Sequence, residues 1–112
     1  MRLNHINLTV TDVNASREFL EKYFDLQTKS THGDSFAVLL DDGGLLLALM
    51  KGTQVNYPKS FHIGFVQESE KRVDEIYQHL KNDGFDVKPP KRAHRWTFYV
   101  KAPGGFTIEV LS

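Results

Sequence analysis

The sequence contains no cysteine and no excess of charge of either sign. Among its 112 residues, 14 lysines and arginines balance 14 aspartates and glutamates. The lack of cysteine excludes a disulfide framework, a thiolate zinc site and a cysteine nucleophile. Balanced charge provides no long-range attraction to nucleic acid or to a membrane surface, so we expect neither as a partner. A small molecule is the more natural partner.

Long apolar runs are also absent. No segment approaches the roughly 20 apolar residues that a membrane-spanning helix needs, and the first residues, Met1 to His5, have no apolar signal-peptide segment. We therefore expect a cytoplasmic protein. The length suits one domain, since domains contain roughly 100–200 residues, and we expect residues 1–112 to form it.

The hydrophobic pattern of the first half predicts a strand, a helix and three further strands. Apolar residues alternate in the first segment, which is typical of a half-buried strand. Capping side chains from Asp12 to Ser16 then precede an apolar stripe at helical spacing, which predicts a helix. The predicted strands of this first module, about residues 1–51, cover residues 3–10, 27–30, 35–40 and 45–50.

The second half repeats the βαβββ order. Ser69 can cap a helix that ends at Asn82-Asp83-Gly84. Residues 51–59 form the predicted linker, and the second module covers about residues 60–112. Its predicted strands cover residues 60–66, 85–88, 95–100 and 106–111. The sequence thus predicts an α+β fold made of two βαβββ modules.

Each module begins with a strand-like segment that carries a histidine at its third position. His5 lies in "LNHINLTV" and His62 lies in "SFHIGFVQ". The last strands of the modules also correspond, because "DDGGLLLALM" aligns with "APGGFTIEVL" and places Ala48 opposite Glu109. The chain is therefore an internal repeat in which the histidine is kept and the carboxylate is present only once.

Strand parity predicts a metal site on the sheet face that points away from the helices. The apolar residues Phe106, Ile108 and Val110 should face the second helix, so Glu109 should face the opposite side. The same parity leaves His62 on the side of Glu109, and His5 on the corresponding side of the first sheet. Two imidazoles and one carboxylate form a common three-ligand set for Zn, Mn, Fe or Ni that leaves coordination positions open.

Other polar residues surround this predicted site. Arg95 and Tyr99 share the inward parity of their strand and could orient a substrate. The basic loop "KPPKRAHR" at residues 88–95 is expected at the rim, where it would modestly favour anionic substrates. The remaining histidines, His32, His79 and His94, are expected to be solvated.

These residues resemble the vicinal oxygen chelate superfamily, which includes glyoxalase I, extradiol dioxygenases, fosfomycin-modifying enzymes and bleomycin resistance proteins. The resemblance is carried by "LNHINLTVTDVNASREFLEKYF", "FHIGF" and "FYVKAPGGFTIEVLS". It implies mixed sheets that curl into a cup around a divalent metal ion held by His5, His62 and Glu109. Glyoxalase I usually has a fourth ligand where Ala48 stands, which argues against a standard glyoxalase I. Tyr99 matches a tyrosine of the fosfomycin group, whereas Asn7 replaces that group's threonine.

The sequence is compatible with three functions. The first is a divalent-metal-dependent enzyme that stabilises an oxyanion on a small oxygen-rich substrate, as a lyase, isomerase, dioxygenase or thiol transferase. The second is a metal-free drug-binding or metabolite-binding protein similar to the bleomycin resistance members. The third is a former enzyme kept as a structural or regulatory partner. The resemblance also implies a symmetric homodimer with shared sites, in which one chain provides His5 and the other provides His62 and Glu109.

Overall fold

A computed structural model describes all 112 residues of the chain. It contains two helices, α1 and α2, and eight strands, β1 to β8. In chain order they are β1 His5–Val10, α1 Val13–Phe24, β2 Gln27–His32, β3 Phe36–Leu40, β4 Leu46–Lys51, β5 Ile63–Val66, α2 Glu70–Asn82, β6 Lys91–Arg92, β7 Trp96–Ala102 and β8 Phe106–Leu111.

The strands form two four-stranded mixed sheets of identical topology. The first sheet has the order β1-β4-β3-β2 and the second has the order β5-β8-β7-β6. In each sheet the strand before the helix pairs in parallel with the last strand of the module, and the remaining pairs are antiparallel. The predicted α+β fold of two βαβββ modules is therefore confirmed.

The chain divides into two compact units. The first comprises Met1–Tyr57 together with the turn Pro103–Gly105, and the second comprises Pro58–Ala102 and Phe106–Ser112. The turn joins the first unit through hydrogen bonds, since Gly104 O accepts from Thr11 N at 3.0 Å. Neither helix is long and apolar enough to cross a membrane.

Both helices begin at the capping residues that the sequence predicts. The Asp12 carboxylate accepts a hydrogen bond from Ala15 N at 2.9 Å, and the Ser69 hydroxyl accepts one from Arg72 N at 3.1 Å. Each cap satisfies an amide that has no partner inside the helix. The caps thus fix where each helix starts after its first strand.

The apolar core of each unit lies between the helix and one face of the sheet. In the first unit the buried face includes Leu8, Leu39 and Leu49, each at most 2% exposed. In the second unit Ile108 and Val110 are fully buried, on the parity that the sequence assigns to the helix side. The opposite face of each sheet is consequently available for other roles.

Two predictions for the strands of the second module are wrong. No strand forms at residues 85–88, because Phe85 N donates to Leu80 O at 3.0 Å and closes the end of α2 instead. The short strand β6 forms later, after Pro89 and Pro90, which have no amide hydrogen to donate to a ladder. Strand β5 begins at Ile63, so His62 lies just before the ladder and not inside it.

Candidate functional site

The inner face of the second sheet, opposite α2, carries a row of three paired residues centred on Glu109. Glu109 of β8 pairs with Gly64 of β5 on one side and with Tyr99 of β7 on the other. Paired residues point to the same face of a sheet, as do residues two positions apart along one strand. Thr97 therefore lies on the same face as Glu109, and Gly64 adds no side chain beside it. His62 directly precedes β5, and its Nε2 lies 3.3 Å from Glu109 Oε1 at this face.

Glu109 is a buried carboxylate with polar partners on both oxygens. The residue is only 4% exposed. Its Oε1 lies 3.3 Å from His62 Nε2. Its Oε2 accepts a hydrogen bond of 2.7 Å from the Thr97 hydroxyl and lies 2.8 Å from His94 Nε2. The Tyr99 hydroxyl also hydrogen-bonds this carboxylate.

These partners keep Glu109 ionised despite its burial. Burial alone would raise the pKa of Glu109, but the hydrogen bond from Thr97 and the nearby His94 outweigh it, with smaller contributions from Tyr99 and His62. The net effect lowers the pKa below its ordinary value. The site thus contains a buried negative charge at neutral pH.

The ring of His62 is oriented by a backbone carbonyl. Its Nδ1 lies 2.9 Å from Ser60 O, and a carbonyl oxygen can only accept, so Nδ1 carries the hydrogen. A neutral ring then has its lone pair on Nε2, the atom that faces Glu109 Oε1. Two electron-rich atoms in that position need a cation between them, either a proton or a metal ion.

The donor pair fits a divalent metal ion in type and in spacing. Metal-binding histidines commonly donate their other N–H to a backbone carbonyl, as His62 does. Two ligand atoms at about 2.1 Å from one ion are roughly 3.0–3.4 Å apart for octahedral to tetrahedral angles. The separation of 3.3 Å between His62 Nε2 and Glu109 Oε1 lies in that range. The structure contains no group of three or more His, Cys, Asp or Glu side chains that could hold an ion.

The other predicted ligand, His5, belongs to the first unit. It is exposed at the start of β1, and its Nδ1 lies 3.1 Å from Asn4 Oδ1. Its Nδ1 thus has a nearby oxygen partner, as that of His62 does, and Nε2 is the remaining nitrogen. The structure brings His62, Glu109 and Tyr99 together on one face, while His5 lies on the corresponding strand of the first unit.

Of the two residues predicted to orient a substrate, only Tyr99 touches the site. Its ring meets that of His62 edge-on, with centroids 5.4 Å apart. Burial raises the pKa of the Tyr99 phenol, and the charge of Glu109 and the hydrogen bond to it raise the pKa further, so the hydroxyl remains a donor. Arg95 is exposed and precedes β7.

His94 corrects a prediction made from the sequence. We expected it to be solvated, and its side chain is indeed 56% exposed, yet its Nε2 lies 2.8 Å from Glu109 Oε2. The contact joins a loop to a strand 15 positions away, so no local pattern reveals it. The usable signal in the sequence is the position of His94 directly before Arg95 and close to Tyr99, which have the inward parity.

Two open grooves adjoin this face. The smaller, about 320 Å³, contains His62 and Tyr99 in its wall. The larger, about 620 Å³, shares Tyr99 with the first and is lined by Thr97 and one acidic residue, Asp86. Four lysines also line the larger groove, namely Lys59, Lys88, Lys91 and Lys101. The larger groove is therefore positively charged next to the carboxylate.

The repeated modules, the inward histidine and the buried glutamate define a known class of protein. A family model described as the Glyoxalase/Bleomycin resistance protein/Dioxygenase superfamily matches residues 2–110. The chain belongs to this superfamily, which confirms the resemblance to the vicinal oxygen chelate proteins.

Particular relatives are also similar over most of the chain. Fosfomycin resistance protein FosX of Listeria innocua is 31% identical over 94 residues, which cover 80% of this chain and 70% of the relative. A solved structure of a possible glyoxalase from Bacillus cereus is 61% identical, with a TM-score of 0.97 and coverage of 100% and 99% of the two chains. A FosX mutant from Listeria monocytogenes, complexed with Mn(II) and 1S,2S-dihydroxypropylphosphonic acid, is 27% identical, with a TM-score of 0.83 and coverage of 98% and 90%.

Proposed function

We propose that this protein is a divalent-metal-dependent enzyme that acts on a small, oxygen-rich, anionic substrate, and that His5, His62 and Glu109 hold the metal ion. One observation carries the proposal. His62 Nε2 lies 3.3 Å from Oε1 of the ionised Glu109, while His62 Nδ1 is held by Ser60 O at 2.9 Å. This arrangement of a ring nitrogen and a carboxylate oxygen is favourable only with a cation between them, either a proton or a metal ion.

Similarity to FosX supports a metal ion over a proton at this place. A FosX structure of the same superfamily contains Mn(II), and that protein covers 98% of this chain. Nitrogen and carboxylate oxygen together suit Mn, Fe, Ni and Zn, so the donor set restricts the metal without identifying it. The proposal therefore leaves the metal to be measured.

The third ligand in this proposal is His5 from the first module. Its place in the repeat equals that of His62, and its Nδ1 also has an oxygen partner. Since His5 belongs to the other unit, we propose that it completes the site in a symmetric homodimer, where the first module of one chain serves the second module of its partner.

When bound, the ion would act as a Lewis acid for a substrate oxygen. The protein's own groups would bind and orient the rest of the substrate. Tyr99 stays protonated and donates a hydrogen bond. The lysines of the larger groove attract the anionic end of a substrate toward the same face. Arg95, in the exposed loop before β7, is the further candidate for contacting that anionic end.

Metal analysis of untagged protein tests the ligands. We expect about one divalent ion per chain in the wild type and almost none in His62→Ala, because that substitution removes a direct ligand. His79→Ala is the matched control, since the His79 side chain is half exposed and its Nε2 lies 3.4 Å from an Asp83 carboxylate oxygen. Equal metal content in the wild type and His62→Ala would refute the ligand assignment. Small-molecule binding that survives EDTA would favour a metal-free binding protein.

Subunit mixing tests the shared site. His5→Ala and His62→Ala chains should each lack metal, but a mixed dimer would combine the intact His5 of one chain with the intact His62 of the other. One of its two sites would then be complete, so a mixed dimer should bind about half as much metal as a wild-type dimer. Random exchange in an equimolar mixture makes about half of the dimers mixed, and metal binding of the whole sample should return to about a quarter of the wild-type level. A monomeric mass in light scattering, or no recovery on mixing, would contradict shared sites.

A further inference from the structure

We propose that His94 is a positioning residue for Glu109, which holds Oε2 so that only Oε1 is presented to the metal ion. This inference rests on the proposed metal site. Nothing in the sequence pattern assigns a role to His94, and the superfamily match does not single it out. The role follows from the different partners of the two carboxylate oxygens.

The two oxygens of Glu109 have unequal surroundings. Oε2 receives the Thr97 hydroxyl at 2.7 Å and faces His94 Nε2 at 2.8 Å. Each carboxylate oxygen has about two lone-pair directions, so these two donors occupy Oε2. Oε1 lies 3.3 Å from His62 Nε2, the longer distance expected of two ligands sharing an ion. The Tyr99 hydroxyl also hydrogen-bonds the carboxylate. Glu109 is therefore arranged to bind through one oxygen.

The loop that carries His94 is attached to α2 on both sides of this residue. Before it, Arg92 forms an ion pair of 2.7 Å with Glu70. After it, the Trp96 indole donates to Asp74 at 2.8 Å. The Arg92 guanidinium also lies over the Trp96 ring, 5.2 Å from its centre. These contacts hold the ends of the loop on the helix side while His94 reaches the inner face.

A hydrogen bond from His94 to the carboxylate would strengthen the ligand by fixing its orientation. Outer partners of metal ligands typically contribute about 10–100-fold to metal affinity. Because His94 is more than half exposed, its replacement removes little packing. Its loss should therefore appear as weaker metal binding in a protein that is otherwise correctly folded.

The experiment is titration of the metal-free protein with Mn²⁺, followed by the electron paramagnetic resonance signal of the free ion. We expect His94→Ala to bind Mn²⁺ about 10–100-fold more weakly. His94→Gln, whose side-chain amide can still donate, should recover part of the affinity. His79→Ala, which removes a histidine of comparable exposure that also lies beside a carboxylate, should match the wild type.

A second readout separates a positioning role from direct ligation. The visible absorption of Co²⁺-substituted protein reports coordination number, so it should keep the same shape and intensity in His94→Ala if His94 lies outside the coordination shell. A changed Co²⁺ spectrum would make His94 a ligand and overturn the inference. Unchanged Mn²⁺ affinity in His94→Ala would also overturn it while leaving the proposed site intact. Failure of the wild type to bind either ion would instead refute the proposed function, and this inference with it.

Discussion

The inner faces of the two sheets occupy equivalent positions in the repeat but carry opposite chemistry. In the first sheet, Ala48 pairs with Asn7 and Val38. In the second, Glu109 pairs with Gly64 and Tyr99. The first module thus has an alanine beside a valine at the position where the second module has a glutamate beside a tyrosine. The identical topology shows that the fold itself does not require either set.

The difference extends to the residues that support the central position. Phe36 occupies the place in the first ladder that Thr97 occupies in the second, two positions before the central pair. The hydroxyl that satisfies Glu109 therefore has no counterpart in the first sheet. Only the histidine is common to both modules. The buried carboxylate of Glu109 therefore has a specific set of hydrogen-bond donors, and only the second sheet provides that set.

The largest expected effect is a loss of metal affinity when the charge of Glu109 is removed. Glu109→Gln preserves the shape but removes the charge, and we expect Mn²⁺ affinity to fall by about 100-fold or more, since loss of a ligand exceeds loss of its outer partners. Titration of the metal-free protein with Mn²⁺ measures it. Glu75→Gln on the exposed side of α2 serves as the control. Nearly equal Mn²⁺ affinity in Glu109→Gln and the wild type would mean that Glu109 does not distinguish the two inner faces in metal binding.

A substitution with the next largest expected effect, Ala48→Glu, tests whether the first sheet can accept a carboxylate. Ala48 is 8% exposed, and Ala48→Glu would bury a charge without the hydroxyl that Glu109 uses. We expect the free energy of unfolding in EDTA to fall by about 2–4 kcal/mol. Urea denaturation measures this, with Ala48→Gln as a neutral control of similar shape. If both substitutions cost the same, the charge is not what distinguishes the faces.

The turns before the last strands offer a third comparison. Gly44 and Gly104 both have positive φ, 91° and 96°, but a Cβ at Gly44 meets no atom within 4 Å. A Cβ at Gly104 would collide with Ser16 Oγ and lie 3.0 Å from Val10 Cβ. We expect Gly44→Ala to cost about 1 kcal/mol from backbone strain alone and Gly104→Ala about twice as much. If urea denaturation shows equal losses of unfolding free energy in Gly44→Ala and Gly104→Ala, the turn at Gly104 is not more crowded than the turn at Gly44.

The smallest effect concerns the hydroxyl that supports Glu109. Thr97→Val should reduce the free energy of unfolding by about 1 kcal/mol at neutral pH, because it leaves a carboxylate oxygen with one donor fewer. Thr107→Val, on the same face of β8, is the control. An equal loss in both variants would show that the bond to Glu109 adds nothing to stability.

The same variant should alter the acid dependence of stability. The pKa of Glu109 is lowered in the folded protein from an ordinary value of 4.5, so its contribution is present above pH 4.5 and disappears as the pH falls through the folded pKa. Removing the Thr97 hydrogen bond raises that folded pKa and shrinks the contribution. In EDTA, the stability gap between the wild type and Thr97→Val should therefore close as the pH drops below 4.5. A gap that is constant with pH would contradict this link.

The sequence predicted those features that depend on local periodicity. Alternation in β1 and β8 revealed which side chains face the helix, and Asp12 and Ser69 marked both helix starts. The adjacency of His62 and Glu109 followed from parity once the modules were aligned. These features can be predicted because the periodicity of a strand or helix depends on residues that are close together in the chain.

Two outcomes differ from the sequence prediction, one for a local reason and one for a distant one. The strand expected at residues 85–88 does not form because Phe85 N donates to the nearby Leu80 O and completes the end of α2. His94 was missed because its partner, Glu109, lies across the sheet. Only the His94 contact depends on an element elsewhere in the chain.

The turn Pro103–Gly105 has a consequence for how the protein is made. It belongs to the first unit, where Thr11 N donates to Gly104 O and Ser16 Oγ lies 2.8 Å from Pro103 O. The ribosome synthesises these carbonyls almost a hundred residues after their partners. The amino-terminal half therefore cannot complete its hydrogen bonds while it emerges. A fragment of residues 1–57 would lack the same partners permanently, so the two halves of the repeat are not interchangeable pieces of chain.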